Sequence, residues 1–181
     1  MKSLVFLFTE YDSRKENRVR TIVFGEVKWK VPTCGHHAHV SVFGAVNVLN
    51  GDTVLHRAVA ANATTFLDFL KILKSRYPDQ LIVLVLDNAR IHHVKMVRDF
   101  LRQEGESFHL IFLPPYSPQL NPIERLWKWL KDAVIANVFH KDQMDIDQAI
   151  ARFMEYIDQQ PEEVLRRLGC AAVTIHSDSS M

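Results

Sequence analysis

The sequence predicts an α/β fold in which a mixed sheet, antiparallel strands first and parallel strands after, is flanked by helices. Two observations carry this. Residues 38–60 read as two strands folded back on each other by Asn50-Gly51-Asp52, a strong hairpin signal. From residue 62 onward, segments of helical period alternate with short apolar runs at 81–86 and 108–113, the order that builds parallel strands joined by helices. A chain of 181 residues, 48% apolar and 24% charged, suits one domain with a substantial core and excludes disordered and fibrous classes.

Taken in order, residues 4–8 predict a first strand and the charged segment 10–20 an exposed loop or irregular hairpin. Short strands at 20–24 and 27–31 flank Gly25, a longer one covers 38–49, and 53–60 returns antiparallel. Asn62 or Thr64 caps a helix with Phe66, Phe69, Leu70 and Leu73 on one face, running to Arg76 and stopped by Pro78. The unbroken run 81–86 fits a strand buried on both faces. Asp87 stands at its C-terminal tip, where open α/β sheets place their ligands.

Val94, Val97, Phe100 and Leu101 recur at helical spacing over 92–104, Gly105 supplies a stop, and a second buried strand follows at 108–113. The loop 114–122 carries four of the seven prolines and is stiff, because each proline fixes φ and restricts its predecessor. Asn121 then reads as an N-cap, Pro122 as N1 and Glu124 as N3 of a helix whose apolar face is Ile123, Leu126, Trp127, Leu130 and Val134. Trp129 falls on another face, open to DNA or a partner. A helix at 143–159, a short one after Pro161 and a loose tail at 177–181 complete the chain.

Asp87 and Glu124 thus occupy the ends of rigid elements, with 36 residues (88–123) between them. Singly, each has a plain role: Asp87 as the cap of a turn, Glu124 as part of a capping box with Asn121 or as a partner of Lys128 four residues on. Together they lie in a long composite motif. Leu86-Asp87-Asn88-Ala89-Arg90-Ile91-His92 follows a strand, and Leu113-Pro114-Pro115-Tyr116-Ser117-Pro118-Gln119-Leu120-Asn121-Pro122-Ile123-Glu124 opens a helix. This stretch resembles the catalytic core of the DDE-superfamily transposases, in the bacterial insertion-sequence branch related to mariner-type elements. The resemblance extends more weakly from about Gly25 to Ala172, through Phe43-Gly44-Ala45 and Asn47.

The resemblance implies a ribonuclease H-like fold, with residues 1–181 forming a single catalytic domain that has a C-terminal helical segment at about 143–172. Such transposases usually carry helix-turn-helix modules before this core, and the N-terminal module is absent from this sequence, a departure from the family pattern. It implies that Asp87 and Glu124 are the second and third members of an acidic triad holding Mg²⁺ or Mn²⁺, as two ions, for cleavage and strand transfer at insertion-sequence ends. Asn88, His92, Tyr116, Ser117 and Asn121 would contact DNA or support the metal ligands. The partners implied are double-stranded DNA at element ends and target, a separate N-terminal DNA-binding polypeptide, and a second copy in a homodimer. The first triad member departs from the family pattern: if Glu10 matches the family glutamate, Thr9 stands where the aspartate belongs, leaving Asp12, or Glu10, to serve. A rival reading is therefore a truncated or degenerate remnant that binds DNA or a partner without chemistry. Another ribonuclease H-fold nuclease fits the proline loop less well.

The remaining composition narrows the classes. A formal charge of +1 carries no signature of a nucleic-acid binder, although Arg14, Lys15, Arg18, Arg20, Lys28 and Lys30 are available to phosphates. Cys34 and Cys170 form no CxxC pair, which points to a reducing cytoplasm and away from a disulfide framework, and the resemblance implies association with the nucleoid. Cys34, His36, His37 and His39 cluster without a second ligand group, so solvent or phosphate contact outweighs zinc. The opening apolar run is too short to span a membrane. No GxxxxGK[ST], GxSxG or HExxH occurs.

Overall fold

A computed structural model describes residues 19–33, 37–115, 117–136 and 138–170. Among the described residues, five strands, β1 (Val19–Pro32), β2 (His37–Asn47), β3 (Thr53–Ala58), β4 (Leu81–Leu86) and β5 (Phe108–Phe112), form one sheet in the order β3-β2-β1-β4-β5. The β1–β2 and β2–β3 pairs are antiparallel, whereas β4 runs parallel to both β1 and β5. The helices are α1 (Ala63–Arg76), α2 (Lys95–Gln103), α3 (Ile123–Leu130), α4 (Gln143–Asp158) and α5 (Pro161–Leu168). Among the described residues, no helix is long and apolar enough to cross a membrane.

Strand alternation divides the core between the two faces of the sheet. Ile22, Phe24, Leu84 and Leu86 pack with Phe66, Phe69, Leu70 and Leu73 of α1 and Val97 of α2. Val23, Val42 and Val85 pack on the other face with Ile123, Leu126, Trp127 and Leu130 of α3, and with residues of α4 and α5. The start of α1 is fixed by Asn62, whose side chain accepts from the N–H groups of Thr64 and Thr65 while Thr65 Oγ1 accepts from Asn62 N–H. Replacing Asn62 by alanine should lower stability by about 1 kcal/mol in urea denaturation, the usual cost of losing such a cap.

The structure departs from the sequence expectations at four places. The two short strands expected around Gly25 are one strand, because Gly25 lies opposite Gly44 in unbroken register. The helix expected over 92–104 begins only at Lys95, with Arg90–His93 forming a separate 3-10 turn and Val94 in extended conformation between them. The strand expected to be buried at 108–113 is β5, which pairs only with β4 among the described residues, and its last residue Phe112 is exposed. Trp129, expected to be open to a partner, is covered by Phe153, Tyr156 and the Arg167 guanidinium, which lies 4.1 Å from the ring centre. The expected strand at 4–8 and the expected tail at 177–181 lie outside the described residues.

Candidate metal and DNA site

Asp87 leaves the sheet at the C-terminal end of β4, with its side chain 67% exposed. Two contacts hold this exit. Ala89 N–H donates to Asp87 Oδ1 at 3.3 Å, and His92 Nδ1 lies 3.1 Å from the Asp87 carbonyl oxygen and 3.5 Å from Oδ1. His92 is 2% exposed and packs against Phe66 and Phe24, with ring centres 4.4 and 5.7 Å away. Burial lowers its pKa, against the opposing pull of the Asp87 charge, so the ring stays neutral at pH 7. Nδ1–H then donates to the Asp87 carbonyl, and Nε2 is left without a partner among the described residues. Such a buried ring supports Asp87 and is removed from DNA.

Glu124 lies in the first turn of α3, which starts one residue later than expected, with Pro122 at the cap. Asn121 sets the position of this turn. It is 4% exposed, its amide donates to the carbonyl of Phe24 at 2.7 Å across 97 residues of chain, and its Oδ1 accepts from Ile123 N–H at 3.4 Å. Asn121 therefore ties the helix to β1 and is too deep to touch DNA. The residue Glu124 is exposed overall, while partial desolvation of its carboxyl and then the negative charge of Asp87 raise its pKa.

A third carboxylate belongs to β1. The parallel register that pairs Val23 with Val85 brings Gly25, two residues on, alongside Asp87. Gly25 faces α3: a Cβ there would lie 2.7 Å from Ile123 Cγ2 and 2.8 Å from Trp127 Nε1. No side chain fits at that position without movement. The next residue, Glu26, has Oε1 3.6 Å from Lys28 Nζ and a buried Oε2 with no partner among the described residues. Burial raises its pKa; Lys28 opposes this, and the Asp87 charge adds to it.

Asp87 thus acts electrostatically on carboxylates from two other elements. Sequence reasoning missed Glu26 because it placed a strand break at Gly25 and sought the third group upstream. Asp12 and Glu10 lie outside the described residues, as does Tyr116. Both hydrogen-bonding edges of β4 are taken by β1 and β5, so the described strand that runs beside Asp87 on the antiparallel side of the sheet is β1. Asn88 Oδ1 lies 2.5 Å from His93 Nε2, and Ser117 Oγ donates to the Pro115 carbonyl at 3.3 Å, so both are engaged locally. Among the described residues, no three acidic, histidine or cysteine side chains converge closely enough to hold a metal ion.

Comparisons with known proteins agree with this fold. The chain is 29% identical over 133 residues to an uncharacterized 39 kDa protein of insertion element IS630 from Shigella sonnei, spanning 73% of this chain and 38% of that protein. It is 35% identical over 78 residues to the uncharacterized protein y4pE/y4sA of Sinorhizobium fredii (strain NBRC 101917 / NGR234), spanning 42% of this chain and 54% of that one. The match thus covers little more than a third to about half of these relatives. Among solved structures, the catalytic domain of Mos1 mariner transposase superposes with a TM-score of 0.61 at 16% identity, covering 93% of this chain and 88% of that one. The catalytic core of BIV integrase superposes with 0.51 at 17% identity, covering 73% and 81%. These likenesses show the shared ribonuclease H-like fold. A family model for the DDE superfamily endonuclease matches residues 10–147, most of the chain, and this chain belongs to that family.

Proposed function

We propose that the chain is the catalytic portion of an insertion-sequence transposase, performing metal-dependent cleavage and strand transfer on double-stranded DNA, with Asp87 and Glu124 as metal ligands. One observation carries this reading: the tip of β4 and the first turn of α3, far apart in sequence, bring two carboxylates within electrostatic reach of each other. The donor set fits Mg²⁺ or Mn²⁺ in kind. Carboxylates are hard oxygen ligands, burial first and then the Asp87 charge raise the pKa of Glu124 and Glu26, a cost that a cation relieves, and Glu26 Oε2 is buried without a partner among the described residues. The Mos1 catalytic domain has been solved with Mg and with Mn, and Mos1 also as a paired-end complex with a transposon end, which supports the same ions and DNA here.

When bound, divalent ions supply activation of a water or 3′-hydroxyl nucleophile and stabilise the leaving oxygen. The protein's contribution is placement. His92 fixes the main chain at Asp87, Asn121 fixes the turn that carries Glu124, and Glu26 is our assignment for the third carboxylate, with Asp12 and Glu10 as the competing candidates. A homodimer and a separate DNA-binding polypeptide remain part of the proposal by family likeness.

Calorimetric titration with Mg²⁺ and Mn²⁺ tests the site. Asp87→Asn and Glu124→Gln should each weaken binding at least about tenfold, since one lost ligand interaction of 1.4 kcal/mol has that effect. Wild-type binding in both variants would overturn the assignment. Glu26→Gln, Asp12→Asn and Glu10→Gln, titrated alongside, identify the third ligand. Gly25 favours a second reading, because a glycine stands where a side chain would face α3 beside Asp87. A domain without its third ligand keeps the fold and loses the chemistry. Absence of metal-dependent DNA nicking by the unmodified chain, even when joined to a DNA-binding module, would select that reading.

A further inference from the structure

Beyond the level of Asp87, β1 and β2 run on together as a two-stranded arm, paired without interruption to Pro32 and His37. One face of the arm is apolar: Val31 is buried, and Val27 and Trp29 pack against the same cluster as α3 and α4. The opposite face carries Lys28 and Lys30, both exposed. Directly opposite residues of an antiparallel pair share a face, so Ser41 joins Lys28, His39 joins Lys30 and His37 joins Pro32. His37 and His39 are also exposed. Lower on this face, Phe24 and Phe43 are covered by Phe66 and Phe69 of α1.

The charges along this face are ordered. Glu26 lies at the base, within electrostatic reach of Asp87, and Lys28, Lys30, His39 and His37 follow outward. Lys28 is 3.6 Å from Glu26, whereas Lys30 has no ion-pair partner among the described residues. Beside His39, Arg57 pairs with Asp147 at 2.9 Å and adds no net charge. The end of the arm is pinned by the bridge between Thr33 and His140, so the stripe is held by the fold.

We propose that this stripe is the track for the sugar-phosphate backbone of duplex DNA leading into the acidic site. The inference rests on the DNA reading above and specifies which surface meets the backbone. Charge complementarity favours a polyanion, since the basic groups begin where the carboxylates end. Spacing along the duplex axis agrees: alternate residues of a β-strand recur about every 6.7 Å, close to the axial rise of two successive phosphates on one DNA strand, about 3.4 Å each. The two histidines offer ring N–H groups to phosphate oxygens.

Fluorescence anisotropy of a labelled 30-base-pair duplex of arbitrary sequence, measured across salt concentrations, tests the track. Each phosphate contact contributes about 0.9 to the slope of log affinity against log salt. Lys28→Gln with Lys30→Gln should therefore reduce that slope by about 1.8, while Lys28→Arg with Lys30→Arg restores it. Lys71→Gln, on the outer face of α1 and paired with Asp68, serves as the control and should leave the slope unchanged. An unaltered slope in the double glutamine variant, with the unmodified chain still binding duplex, would overturn the track and leave the functional reading in place. Failure of the unmodified chain to bind any duplex would also overturn the track, whereas the functional reading is overturned by the metal titration and nicking assays above.

Discussion

Replacing Trp127 with alanine should destabilise the domain by about 3–5 kcal/mol, the cost of emptying a large aromatic site in a core that cannot collapse around it. The reason lies in two glycines. Gly25 and Gly44 face each other across β1 and β2, and the indole of Trp127 fills the space their missing side chains leave. A Cβ at Gly44 would lie 2.4 Å from Trp127 Cη2 and 2.7 Å from Leu55 Cδ2. Trp127 is 3% exposed, and its Nε1 has no partner among the described residues, so the ring acts by shape and not by hydrogen bonding. Trp127→Phe should accordingly cost much less than Trp127→Ala in urea denaturation. Gly44→Ala alone should cost about 1–3 kcal/mol through overpacking. Combined with Trp127→Phe it should cost less than the sum, because the two changes share one space. A loss below about 1 kcal/mol for Trp127→Ala would show that the slot is not what fastens α3 to the sheet.

The same slot explains what the sequence concealed. Within a window of ten residues, Gly25 reads as punctuation, and only its cross-strand partner Gly44 shows that it belongs inside a strand. Asn121 reads as a helix cap from its neighbours, yet its strongest bond reaches Phe24, 97 residues away. His92 carries the helical period of the segment after it, but burial against Phe66 and the bond to Asp87 draw it into a separate turn. Elements whose signals are local were legible: the apolar run that became β4, the capped helix α1 and the proline loop before α3. For the candidate site, the places of Asp87 at the tip of β4 and Glu124 in the first turn of α3 were legible because each stands at the end of such an element. Glu26 was hidden because its relevance comes from the register between β1 and β4, which a single sequence does not display.

Magnesium at about a hundred times its dissociation constant should raise the melting temperature of the unmodified protein by roughly 5–10 °C, and Glu124→Gln should abolish most of that rise. Ligand linkage at this concentration stabilises by about 2.7 kcal/mol, and a domain of this size gains about 2–4 °C per kcal/mol. The metal-free protein carries the opposite signature. The pKa of Glu124 is raised above the ordinary 4.5 by desolvation and by Asp87. A folded state that holds its proton more tightly than the unfolded chain gains stability below pH 4.5 and loses it as pH rises through the raised value. At pH 7 the ionised Glu124 is therefore a net cost to the metal-free fold. Glu124→Gln should be slightly more stable than the unmodified protein at pH 7 without metal, with the difference shrinking towards pH 4.5. Magnesium affinity of the unmodified protein should fall over the same interval, because protons compete for the ligand. A metal-induced rise that survives intact in Glu124→Gln would separate this carboxylate from the cation and leave its raised pKa to burial beside Asp87 alone.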